Sequence, residues 1–77
     1  MTVEEAVEIM GDSYLEWSRA KARGDLGAMR AAMDRGTSAC LECDDPETAM
    51  KKHIADRDRL SETRIQERLA GKNQRVH

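Results

Sequence analysis

Cys40 and Cys43, in the run Cys40-Leu41-Glu42-Cys43, are the residues of this chain best suited to chemistry. Two thiols three positions apart can share a metal ion or cycle between dithiol and disulfide. A structural zinc site takes four ligands, of which this spacing supplies two. His53 lies ten residues past Cys43 and beyond Pro46, so one chain offers at most the loose set Cys40, Cys43 and His53. A metal-bridged dimer, with a second copy completing the site, is the remaining metal reading. Redox use favours a motif that opens a helix after a strand, where the first thiolate is stabilised. Here Glu42, Asp44 and Asp45 surround the thiols and disfavour a negative sulfur.

A plainer reading competes with the chemical ones. Leu26, Met29, Met33, Gly36, Cys40 and Cys43 follow one another at spacings of three and four, the pattern of one helix face. Cysteine is among the most buried residue types and packs as a small hydrophobe. The sequence therefore places Cys40 and Cys43 in a helix seam, with no cofactor and no metal.

No other constellation reads as a catalytic site. Glu-x-x-His, His-Glu-x-x-His and Gly-x-Ser-x-Gly are all absent. Gly71-Lys72-Asn73 lacks the glycines, the hydroxyl residue and the strand of a phosphate loop. Asp44-Asp45 is explained by helix capping, and Asp56 with Asp58 by a solvated helix face. The expectation is a protein without enzymatic activity.

The elements that carry these residues are helices. Thr2-x-x-Glu5 is a capping-box pattern and opens a helix over about residues 2–23. Along it Val3, Val7, Met10, Tyr14 and Trp17 fall on one face and Glu4, Glu5, Glu8, Asp12 and Glu16 on the opposite one. Gly24-Asp25 pairs a helix-ending glycine with an N-cap aspartate, and a second helix follows over 26–43, continuous through Gly36. Gly27, Ala28, Ala31, Ala32 and Ala39 make it slim, which predicts a central position. Asp45-Pro46-Glu47 places Asp at N-cap, Pro at the first helical position and an acid in the first turn. The third helix is expected over 46–70 with Gly71 as its stop, leaving 72–77 as a flexible basic tail. No β-branched run or hairpin dipeptide signals a strand.

The third helix is the irregular one. Met50 and Ile54 give its first half an ordinary apolar face. In its second half Arg57, Arg64 and Arg68 cluster within about 40° at 100° per residue, between Leu60 on one side and Ile54 with Ile65 on the other. It is also longer than its partners, so its end is expected to project. Arg57, Leu60, Arg64, Ile65, Arg68 and Leu69 form the candidate interaction surface. Arginine flanking apolar residues suits a protein partner or a second copy of the chain. The alternative is a nucleic-acid-associated regulator whose arginines reach phosphates. Asp56, Asp58, Glu62 and Glu67 on the same helix oppose that alternative.

Composition sets the frame. Seventy-seven residues make one domain at most. There is no Phe, one Trp and one Tyr, against five Met, so the core is thin and adaptable. Such a chain often gains stability from a partner. The net charge of −2 offers no generic basic surface. The N-terminus lacks the features of a signal peptide, and no run approaches the roughly 20 apolar residues of a membrane span. The expected location is the cytoplasm, where both thiols stay reduced.

The sequence thus predicts an all-α fold, a three-helix antiparallel bundle or helical hairpin with a long projecting C-terminal helix, as a single domain over 1–71. The predicted core is Val3, Val7, Met10, Tyr14, Trp17, Leu26, Met29, Met33, Cys40, Met50 and Ile54. The expected function is a small, self-associating protein–protein interaction module acting as an adaptor, inhibitor or regulator.

Overall fold

The structure, a computed structural model, describes residues 1–75. Three helices make up the chain: α1 (Val3–Arg23), α2 (Leu26–Glu42) and α3 (Pro46–Arg75). Their boundaries follow from local hydrogen bonding. The Thr2 hydroxyl accepts from the Glu5 N–H at 3.2 Å, and the Glu5 carboxylate accepts from the Thr2 N–H at 3.3 Å, which closes the capping box. Gly24 ends α1 in the left-handed region at φ 71°. Its N–H reaches the Lys21 carbonyl at 3.1 Å and the Asp25 N–H reaches Ala20 at 3.0 Å. This is a Schellman arrangement that an L side chain at Gly24 would strain.

Asp25 and Asp45 serve as the N-caps of the next two helices. The Asp25 carboxylate accepts from the Ala28 N–H at 3.0 Å. The Asp45 carboxylate accepts from both the Thr48 N–H at 3.2 Å and its hydroxyl at 2.6 Å. α2 is continuous through Gly36. At the other predicted stop the helix continues: α3 runs through Gly71 to Arg75, and Gly24 is the one positive-φ glycine among the described residues. A glycine in a helix costs about 1 kcal/mol against alanine but does not terminate it without a capping geometry. The predicted tail thus begins inside α3, and its last two positions, 76 and 77, lie outside the described residues.

The helices run up, down and up, so α1 lies antiparallel to α2 and parallel to α3. α1 packs extensively against both, while α2 and α3 meet only slightly. The central helix is therefore α1, not the slim α2. α1 buries Ala6, Met10, Gly11, Ser13 and Ala20, whose small side chains let neighbours approach on two flanks. Gly36 of α2 comes so near Ser13 that a Cβ there would sit 3.2 Å from the Ser13 Cβ. On the other flank Leu60 of α3 covers Gly11.

The core is built from small residues. Ala6, Met10, Ala39, Cys40, Cys43 and Ala49 form its cluster, with Val3, Val7 and Ile9 packed around it. No large side chain among the described residues is fully buried. Several predicted core positions lie outside: Leu26 is 76% exposed, Met33 59%, Ile54 52% and Met50 42%. The physical reason is the missing third seam. α2 turns Ala32, Gly36, Ala39 and Cys40 inward, and α3 turns Ala49, His53 and Leu60 inward. Met33 and Met50 then flank the gap between α2 and α3, where no helix covers them, while Leu26 and Ile54 lie outside it.

Candidate interaction groove

That gap is a groove of about 280 Å³. α1 supplies its floor through Met10, Tyr14 and Trp17. α2 contributes Met33 to one wall, and α3 contributes Met50 and His53 to the other. The walls converge at the α2–α3 junction. There the Asp44 N–H bonds the Met1 carbonyl at 2.9 Å, tying the start of α1 to the loop. Away from the junction no hydrogen bond or ion pair joins the two helices among the described residues, and the groove stays open.

The aromatic rings set its electrostatics. The Arg57 guanidinium carbon lies 5.8 Å from the Tyr14 ring centre, and the Lys21 ammonium lies 5.2 Å from that of Trp17. The Tyr14 hydroxyl shares a 3.1 Å hydrogen bond with the Ser61 hydroxyl, which fixes the ring against α3. His53 meets Tyr14 edge-on with centres 6.1 Å apart. Two ring nitrogens of groove residues, Trp17 Nε1 and His53 Nδ1, are buried without a hydrogen-bond partner among the described residues. Each leaves a polar atom whose desolvation, about 1–3 kcal/mol, is not offset within the chain.

His53 is 8% exposed. Burial pushes its pKa below the ordinary histidine value, the Arg57 charge adds to this, and Asp56 opposes it. The folded chain thus resists protonation of His53, whereas the unfolded chain takes up a proton near the reference value of about 6.5. Between the two values the unfolded state binds more protons, so stability falls as pH drops through that window. Melting temperature measured from about pH 7.5 down to about 5.5 is expected to decline, with a shallower slope in His53→Gln. Equal slopes would show that this histidine is as easily protonated folded as unfolded.

Cys40 and Cys43 sit in the core beneath the junction, both free thiols and both buried. The Cys40 thiol donates toward the Pro46 carbonyl at 3.6 Å, and the Cys43 sulfur accepts from the Asp45 N–H at 3.4 Å. Their sulfurs stabilise the turn into α3. Among the described residues no three His, Cys, Asp or Glu side chains converge as a metal site, so His53 does not join the two cysteines.

The predicted interaction surface divides. Leu60 is 3% exposed against Gly11, so it belongs to the core. Arg64 is held inward: its Nε donates to the Ser18 hydroxyl at 3.1 Å, and it pairs with Glu67. Arg19 of α1 also pairs with Glu67, and the two guanidiniums pull that carboxyl down to about 2. α3 therefore stays beside α1 at least as far as Glu67. Arg57, Ile65, Arg68 and Leu69 remain exposed, with Ile65 and Leu69 each about half so. Arg57 faces the groove, while Ile65 and Leu69 lie toward the outer side of α3.

Sequence reasoning counted Met33 and Met50 into the core, although both are exposed, while Tyr14 and Trp17 are half-buried as the groove floor. A signal was present in the small residues of α1 and α2. Helices in contact through alanine and glycine leave room for Met10 but not for Met33 and Met50 as well.

Comparison with protein-family models, curated proteins and solved structures finds no match to this chain. No helix among the described residues is long and apolar enough to cross a membrane.

Proposed function

We propose that this chain is a small, non-enzymatic protein–protein interaction module, an adaptor, inhibitor or regulator, that self-associates through the outer strip of α3. The observation that carries this reading is the exposure of Ile54, Ile65 and Leu69 on one helix that α1 covers only on its inner side. Ile54, Asp58, Ile65 and Arg68 lie on one side of the helix, next to Ser61, whose hydroxyl turns to Tyr14. Two α3 helices crossing antiparallel at the level of Thr63 bring Asp58 opposite Arg68. Neither Asp58 nor Arg68 forms an ion pair among the described residues, whereas neighbouring Arg59, Arg64 and Glu67 are all engaged internally. The strip is therefore complementary to a second copy of itself. The module works in the cytoplasm, where its two buried thiols stay reduced.

Sedimentation equilibrium tests the pairing. The native chain is expected to dimerise, and Asp58→Arg or Arg68→Asp alone to weaken the dimer by about tenfold or more. An equimolar mixture of the two variants restores opposite charges at both contacts and is expected to reassociate. A native chain that stays monomeric to about 1 mM rules the reading out, as do variants that associate like the native chain.

A further inference from the structure

The α2–α3 groove is a second surface, distinct from the outer strip of α3, and its lining is chemically selective. The chain carries 15 carboxylate residues, yet none lines this groove. Its one charged lining residue is Arg57, and Lys21 stands over the Trp17 ring in the floor. The companion cleft on the other side of α3 is lined by Glu4, Glu8, Asp12 and Asp56 as well as by Lys52 and Arg59, so exclusion of acids is particular to the groove.

The apolar lining narrows the occupant further. Met10, Met33 and Met50, three of the five methionines in the chain, lie on the floor and both walls. Flexible, polarisable methionines suit surfaces that adapt to the apolar face of a helix. At about 280 Å³ the groove falls at the small end of cavities that bury a small molecule, and it is open along its length. A long occupant that leaves one face in solvent fits this shape. A helix laid there gives α2 and α3 a second common neighbour opposite α1 and completes a four-helix packing around the groove.

We infer that the α2–α3 groove binds an acidic amphipathic helix of another protein, apolar side chains on the methionines and a carboxylate on Arg57. A second copy of this chain is the poorer occupant. The apolar stripe it can offer is that of α3, whose own Arg57 and Arg68 would approach the groove's Arg57. Its acidic face, on α1, has its apolar residues turned inward.

Trp17 is the only tryptophan in the chain and lies in the groove, so it reports occupancy directly. The probe is a tryptophan-free helical peptide of about 18 residues, with leucines at i, i+3, i+4 and i+7 and glutamates flanking them. It is expected to shift Trp17 emission saturably, and the same peptide with lysine for glutamate to bind about tenfold more weakly or worse. Arg57→Glu is expected to reverse that preference, and Met33→Asp to abolish the shift. Both residues are exposed, and unchanged circular dichroism confirms that the variants fold. Asp58→Arg, which opposes self-association, is expected to leave peptide binding unchanged, so the two surfaces fail or hold separately. Four results would overturn the inference: no saturable shift up to about 1 mM peptide, equal affinity for the lysine peptide, binding retained in Met33→Asp, or a Trp17 shift that follows protein concentration alone. The last would place a second copy in the groove.

Discussion

Leu60→Ala is expected to lower the unfolding free energy by about 2–5 kcal/mol, the usual cost of truncating a buried leucine to alanine. Leu60 is 3% exposed and its Cδ1 lies 3.7 Å from where a Cβ on Gly11 would stand. It is the large apolar side chain that seals α3 to α1 midway along the pair. For a domain of this size total stability is about 4–12 kcal/mol, so the loss removes a large share of it. The melting temperature is expected to fall by roughly 10 °C or more. Ile65→Ala and Leu69→Ala, on the open side of the same helix, are expected to change stability by less than about 1 kcal/mol. Urea unfolding of the three variants measures the contrast. Had Leu60 lain on the outer strip, all three would behave alike. The substitution Leu60→Asp is correspondingly a folding mutation, so it cannot serve as a probe of association.

The second large effect is at Gly36. Its added Cβ would lie 3.2 Å from the Ser13 Cβ and 3.6 Å from its hydroxyl oxygen. Ser13 is itself buried, and its hydroxyl accepts from Arg35 Nε at 3.3 Å, so it has nowhere to retreat. Gly36→Leu forces α1 and α2 apart along a seam of alanines that has no longer side chain to fill the opening. The expected cost is about 1–3 kcal/mol, read from the urea midpoint. Gly11 is the useful foil, because a Cβ there meets Leu60 at 3.7 Å, an ordinary contact. Gly11→Ala gains helix propensity of about 1 kcal/mol without forcing a separation, so it is expected to hold or raise stability. The two glycines thus differ in the room beside them, 3.2 Å to Ser13 against 3.7 Å to Leu60. A Gly36→Leu chain as stable as the native one would show that α1 and α2 are not in close contact at this point.

Helix boundaries were legible because caps are local. Thr2 with Glu5, Gly24 with Asp25, and Asp45 with Pro46 each act within a few residues, and each performs in the structure as its type implies. Gly71 was not legible as an interior residue. Glycine at a helix end and glycine within a helix look alike in sequence, and only the backbone geometry separates them. The cysteines were legible as packing residues, but the stripe that pointed to them is only partly buried, since its Leu26 and Met33 lie exposed. The cysteines' bonds to Pro46 and Asp45 arise only when the turn forms.

The candidate site was legible in part. Arg57 stood out by its place beside apolar residues, and the structure sets it above Tyr14 at the groove. Leu60 and Arg64 sat in the same sequence cluster but turn toward α1. Their angular separation from Arg57 is small, and a shift of some tens of degrees in how α3 faces α1 decides which of them is covered. Met33 and Met50 carried the reverse ambiguity: apolar residues on helical spacing read as core when nothing indicates that a seam is missing.

The sequence by itself determined three amphipathic helices, their order and their caps, because these depend on hydrogen bonds and periodicity within a few turns. Tertiary structure alone decided that α1 is central and that α2 and α3 stand apart. That choice depends on how closely helix axes approach, which Gly36 against Ser13 and Leu60 against Gly11 set across the chain. An apolar stripe records that a face avoids water. Which neighbour covers it, or whether none does, follows only from the packing of all three helices together.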